Sequence, residues 1–221
     1  MKLSSPYFDT LFELREGEPL LLEIEAQSLF RKFSEDLRRQ ADGESGEAVL
    51  SVEDSPVPLS RYAEILDCFA PFDINTKSML TKIAAALERG AVDGEHYLAT
   101  SALLADIERH ITELCFNLPV RIECRKLTAG AVIKAAAPAI AEDFASPLEA
   151  LLSYMSVISD LDRNKLYITV NMRSYFDDEE MAEFIGEIRK KQFHVLLLES
   201  SARERIVGLN RLTIDRDLCE F

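Results

Sequence analysis

The stretch LYITVNMRSYFDDEEMAEFIGEIRKKQFHVLLLES, residues 166–200, decides the fold. Leu166–Val170 and Val195–Leu198 are short apolar runs rich in branched residues, without the polar alternation of a strand that faces water. Such runs are strands covered on both faces in a parallel sheet. Between them Asp177, with Glu180 three residues on, forms an acidic capping box that predicts a helix. LTIDRDLCEF, residues 212–221, reads as a closing strand. The pattern predicts an α/β sheet of the nucleotide-binding kind, yet the chain has no GxxxxGK[ST] loop to cradle phosphate. A frame of this kind without its phosphate loop points to binding or assembly rather than catalysis.

Working outward, Leu11–Arg15 and Leu20–Glu25 flank EGEP and predict a hairpin or paired strands. Ala26–Gln40 predicts a helix with Leu29, Phe30, Phe33 and Leu37 on one face. AVLSVEDSPVPLS, residues 48–60, predicts a strand and then a loop broken by Pro56 and Pro58. Ala63–Phe69 is an apolar run compatible with a strand or a short helix. Asn75 is placed to cap a helix reaching about Arg89.

The pattern then changes. Glu95–Asn117 is one long helical run, with Leu98, Ala102, Ala105, Ile107, Ile111, Leu114 and Leu118 as its buried side. LPVRIECRKL, residues 118–127, alternates as a strand or extended hinge, and Thr128–Ala137 is helix-competent up to Pro138. Ser146, Pro147 and Glu149 form a second capping box, opening a helix to about Ile158. Residues 91–164 therefore read as an inserted α-helical leg. Residues 1–90 and 165–221 read as a discontinuous nucleotidase-like α/β head without a phosphate loop, since the C-terminal strands need N-terminal partners.

Chemistry is read mostly by exclusion. The 221 residues carry a net charge of −14, which opposes non-specific contact with nucleic acid over the whole surface. Within residues 119–134, however, Arg121, Arg125, Lys126 and Lys134 face only Glu123, a local island of +3. It is either a solvated face or a polyanion contact; Arg163 and Lys165, at the exit of the helical leg, form a second rank. There is no GxSxG or HExxH, and His96, His110 and His194 are scattered. The four cysteines form no CxxC pair and read as reduced thiols. Asp177–Glu180 is accounted for by the helix dipole and cap. Glu123, Glu142, Asp143 and Glu149 lie near turns that could lend oxygen ligands to a hard cation such as Ca²⁺, without EF-hand spacing. No apolar run approaches the roughly 18 residues of a membrane span, and no apolar secretory segment follows Lys2, so a cytoplasmic protein is expected.

The segments SLFRKFSEDLRRQADGESGEAVLSVED, FDINTKSMLTKIAAALE, residues 166–200 and IDRDLCEF together resemble the type II-A CRISPR-associated adaptation proteins. That resemblance implies a non-enzymatic, homotetrameric ring that threads linear double-stranded DNA without sequence preference. It further implies calcium in the leg, and a CRISPR integrase and effector nuclease as partners in spacer acquisition. One departure stands out: where relatives are acidic after the long leg helix, this chain has Ile122-Glu123-Cys124-Arg125-Lys126. Either Glu142, Asp143 or Glu149 completes a calcium shell with Glu123, or the basic residues replace the ion. Two other classes stay open: a divergent phosphohydrolase using Lys77 at a helix start, and an acidic protein-binding scaffold without DNA contact.

Overall fold

The computed structural model describes residues 1–162, 164–206 and 208–221. In chain order the elements are β1 (Lys2–Ser4), β2 (Phe12–Glu13), β3 (Leu20–Ile24), α1 (Gln27–Ala41), β4 (Val49–Val52), β5 (Ser55–Val57), α2 (Leu59–Tyr62) and β6 (Ala63–Leu66). The helices α3 (Lys77–Ala91), α4 (Tyr97–Cys115), α5 (Ala129–Ala136) and α6 (Pro147–Leu161) follow. The chain continues through β7 (Leu166–Val170), a 3-10 turn (Met172–Ser174), α7 (Asp178–Lys191), β8 (His194–Glu199) and β9 (Asn210–Ile214). It is a mixed α/β protein of two compact units, one of residues 1–73 with 144–221, the other of residues 74–143.

The first unit holds both sheets. Five strands in the order β6-β7-β8-β3-β9 are all parallel, with Leu20↔Leu196, Leu166↔His194 and Ala63↔Leu166 in register. The C-terminal strands thus take their neighbours from the N-terminal segment, and Ala63–Phe69 yields the edge strand β6. Four shorter strands, β2-β1-β4-β5, pair antiparallel. The predicted hairpin does not form: β2 pairs with β1, while β3 enters the parallel sheet between β8 and β9. The reason lies in the side chains, because Leu21, Leu22 and Ile24 are buried as no exposed hairpin strand could be.

Helix α1 joins the sheets into one core. Phe33 and Leu37 are buried with Leu3, Phe12, Leu14 and Leu50 from the antiparallel side and Leu22, Ile24, Ile168 and Leu196 from the parallel side. Fully burying each such side chain contributes roughly 1.5–3 kcal/mol before entropy is counted. Asp36 is buried on the same helix because its carboxylate accepts the amides of Glu47 (2.9 Å) and Ala48 (2.8 Å), which fixes the turn after α1.

Both predicted helix starts form, but only the first carries a complete capping box; at the second, Glu149 takes the amide of Ala145 instead of that of Ser146. Asp177 accepts the amides of Glu179 and Glu180, and Glu180 reaches back to the amide of Asp177 at 3.0 Å. Ser146 accepts the amide of Glu149 at 3.1 Å, with Pro147 in the first turn. Helix α6 buries Leu151, Met155 and Ile158 and packs against α7. Tyr167 of β7 donates its hydroxyl hydrogen to the carbonyl of Met155 at 2.7 Å. These contacts place α6 with the sheets, although residues 91–164 were expected to form one helical insert. Likewise α3, expected with the sheets, pairs with α5 in the second unit.

Candidate functional site

The second unit, residues 74–143, carries the basic island. Thr76, not Asn75, caps α3: its hydroxyl accepts the amide of Met79 at 3.2 Å. Asn75 instead pins two distant segments, with Oδ1 accepting the amide of Ile140 (2.9 Å) while Nδ2 donates to the Ile140 carbonyl (3.0 Å) and to Glu142 (2.7 Å). Thr128 caps α5 through the amide of Ala131 at 3.2 Å. Helices α3 and α5 approach closely at Gly130, where a Cβ would lie 2.6 Å from the Glu88 carboxylate. A groove of about 870 Å³ follows, with Leu80, Ala84, Ala131 and Ile133 along it and Lys77, Glu88 and Lys134 among its charged groups.

Helix α4 differs from what its sequence predicts. It spans nineteen residues, all described, and none is buried. Tyr97, Thr100, Leu104, Ile107, Ile111, Leu114 and Leu118 recur at alternating steps of three and four, the spacing of a coiled-coil seam. Leu114 is 55% exposed and Leu98 78%. Most of the apolar face expected to be buried is exposed, with Leu104 half-buried and Leu127 bonded to Glu108 beside it.

The connection from α4 to α5 holds no strand, so the alternation of residues 118–127 gives an extended segment and not a sheet member. Arg121, Arg125 and Lys126 are exposed on it, and Lys134 is exposed in the last turn of α5. Arg121 is paired with Glu123 at 2.8 Å. Arg125, Lys126 and Lys134 make no ion pair among the described residues, which leaves three cations available to an anionic ligand. Lys165 must be withdrawn from the predicted set. It is 5% exposed, and its ammonium is held by the carbonyl of Arg61 and by Asp162 at 2.9 Å, so it cannot meet a phosphate. Arg163 lies outside the described residues.

The four carboxylates proposed for calcium are engaged in local contacts, Asp143 apart. Glu123 pairs with Arg121, Glu142 accepts from Asn75, and Glu149 accepts the amide of Ala145 at 2.6 Å. Asp143 is exposed. Among the described residues no three Asp, Glu, His or Cys side chains form a group that could hold a metal. As they stand, these residues do not fit a calcium shell of six to eight oxygens.

The histidines do not converge on a site. His96 and His110 are exposed at the start and in the middle of α4. His194 is largely buried at the start of β8, with Nδ1 3.0 Å from the carbonyl of Leu14 and Nε2 3.6 Å from Glu16. Burial, helped by the N-terminal ammonium, lowers its pKa, while Glu16 opposes the shift.

Sequence reasoning missed a buried charge cluster in the first unit. Glu23 and Glu199 are neighbours across β3 and β8, and Thr213 is level with Glu23 on β9. Glu23 is fully buried; it lies 2.6 Å from Arg211 and 3.6 Å from Arg173, and accepts the Thr213 hydroxyl at 3.0 Å. Glu199 accepts the amide of Arg173 at 3.0 Å, and burial raises its pKa despite Arg203 and Arg173. The signal was present: a glutamate inside each of the apolar runs LLLEI and HVLLLE. The cluster ties the segment after β8 to the strand ends, with the Arg203 amide on Glu23 at 3.2 Å and Arg173 on the carbonyl of Glu204 at 2.8 Å.

Among the described residues, no helix is long and apolar enough to cross a membrane. The family description "CRISPR-associated protein (Cas_Csn2)" matches residues 40–218. The crystal structure of Stu0660 of Streptococcus thermophilus is similar over 97% of this chain and 75% of its own, with 14% identity and a TM-score of 0.56. A Pyrococcus furiosus protein named as an ABC transporter (ATP-binding protein) is 13% identical over 96% of this chain and 97% of its own. Its TM-score of 0.41 supports no argument about fold.

Proposed function

Because the chain belongs to the CRISPR-associated Cas_Csn2 family, we propose that it is a non-catalytic, double-stranded-DNA-binding protein of spacer acquisition, working as a homotetrameric ring around linear DNA ends. The observation that carries this reading is the connection from α4 to α5. Arg125 and Lys126 stand exposed there, beside Arg121 and without an ion pair among the described residues, in a chain of net charge −14. Copies of such a segment turned towards a common hole would attract a polyanion, while the rest of the surface repels it.

The largely exposed seam of α4 supports assembly, since exposed apolar side chains at 3-4 spacing are suited to cover by another helix. The five-stranded parallel sheet supports a nucleotidase-like head, and residues 74–143 take the part of the helical leg. The amide of Met79 at the start of α3 is already taken by Thr76, which counts against Lys77 serving a phosphohydrolase site. Calcium has no place at the four carboxylates as they stand; the Arg121–Glu123 pair supplies counter-charge where relatives are acidic. The integrase and effector nuclease are the partners that the reading implies, in the cytoplasm.

The test is the salt dependence of binding to linear duplex by wild type and Arg125→Ala/Lys126→Ala. Each lost phosphate contact flattens the slope of log K against log salt by about 0.9, so the double variant should be shallower by about 1.8 per engaged protomer. An unchanged slope removes these residues from the interface. Equal affinity for closed circular duplex would refute threading.

A further inference from the structure

The thiols of Cys115 and Cys124 face each other with their sulfurs 4.0 Å apart. Cys115 is the last residue of α4, and Cys124 lies nine residues on in the extended connection, between Arg121 and Arg125. We propose that this pair is a redox-reversible modification site, closed to an intramolecular disulfide by a small anionic disulfide such as oxidised glutathione.

The geometry requires little movement. A disulfide bond is about 2.05 Å long, so each sulfur must travel roughly 1 Å, within the reach of side-chain torsions. The backbone can follow, because Cys124 sits in a segment with no helix or strand bonds to hold it and Cys115 is at a helix end. Cys124 is exposed and open to a reagent, whereas Cys115 is half-buried. Burial and the hydrogen bond with Cys124 push the Cys115 thiol upward in pKa, which leaves the first attack to Cys124. Neighbouring Arg121, Arg125 and Lys126 draw an anionic reagent to this place.

The chemistry balances in two exchanges. The Cys124 thiol gives up its proton and its sulfur attacks the reagent disulfide; one glutathione leaves as thiolate and the mixed disulfide stands on Cys124. Cys115, losing its own proton, then attacks the Cys124 sulfur and releases the second glutathione. Two protein thiols are oxidised by two electrons, and one reagent disulfide is reduced to two thiols. Excess reduced glutathione reverses both steps. The state of the pair decides whether the segment bearing Arg121 is held back on α4 covalently or through the Leu127 amide on Glu108 alone, which holds whether or not that segment meets DNA.

The full-length protein is incubated with oxidised glutathione, and its thiols are then titrated and its tryptic peptides mapped without reduction. The expected result is one peptide pair linked through Cys115 and Cys124, free of glutathione and lower in mass by two hydrogens, whatever adducts the equally exposed Cys68 and Cys219 take up. Dithiothreitol should restore all four thiols. Cys115→Ser should stop at a glutathione adduct on Cys124, and Cys124→Ser should leave Cys115 unmodified. A stable adduct on wild-type Cys124, a link to Cys68 or Cys219, or chains joined between copies would each overturn the proposal.

Discussion

Replacing Glu23 by alanine probes the charge cluster at the strand ends. Its two arginine partners are not equivalent. The Arg211 side chain is 24% exposed and can turn to water, whereas that of Arg173 is 3% exposed and cannot. Arg173 Nη1 already has no hydrogen-bond partner and depends on Glu23 at 3.6 Å for its compensation. The alanine variant therefore leaves a buried guanidinium with the carbonyl of Glu204, the distant Asp178 and the Glu199 carboxylate, which bonds the Arg173 amide and not its guanidinium. Removing one partner of a buried ion pair costs about 3–5 kcal/mol, and the partial release of Arg211 places the expectation near the lower end. The chain has no tryptophan, so urea unfolding is followed by far-ultraviolet circular dichroism. The cycle is completed with Arg173→Met and the double variant. Because the double variant no longer strands a charge, it should recover about 2 kcal/mol relative to the sum of the singles. A Glu23→Ala loss below about 0.5 kcal/mol, the range of ordinary surface substitutions, or strict additivity of the pair, would refute this account.

Asp177→Ala removes an acceptor that satisfies two amides at the start of α7, and should lower stability by about 1 kcal/mol. Asp177→Ser should restore most of that, measured by the same unfolding assay. His194 gives a pH dependence: burial holds its pKa below the usual value near 6.5, so the folded state resists its protonation. The stability this contributes is complete above about pH 6.5 and is lost as pH falls through the depressed pKa. His194→Gln should flatten the pH dependence of the unfolding midpoint by up to about one proton in that window. An unchanged acid slope would show that other groups set it.

The parallel sheet was legible because Leu166–Val170 and Val195–Leu198 lack alternation, and this pattern has few other physical solutions. Both helix starts were legible because Asp177 and Ser146 each offer a side-chain oxygen to an amide two or three residues on, although only Glu180 closes a capping box. What failed depended on distant partners. Leu20–Ile24 looks locally like half of a hairpin; only β8 and β9, nearly two hundred residues on, make it a central strand. The helix α4 was legible but its buried side was not: Leu98, placed on that side, is among its most exposed residues, and periodicity cannot say whether the same chain supplies a cover. Lys165 counted as a surface cation on composition, and only Asp162 with the Arg61 carbonyl turns it inward. Asn75 looked like a cap because nothing nearby announces Ile140 and Glu142.

Those bonds of Asn75 bear on how this chain tolerates change in length. One side chain holds the incoming residue of the 74–143 segment beside its outgoing residues, so the segment begins and ends at a single fastening. Residues beyond that fastening can lengthen, shorten or be exchanged without rerouting β6 or α6, since the two strands of chain that cross it stay side by side. The segment is, in effect, a cassette. A variant that bridges residues 74 and 143 with a short glycine-serine linker keeps every strand of both sheets, and its folding would show how far the rest of the chain is independent of what it carries.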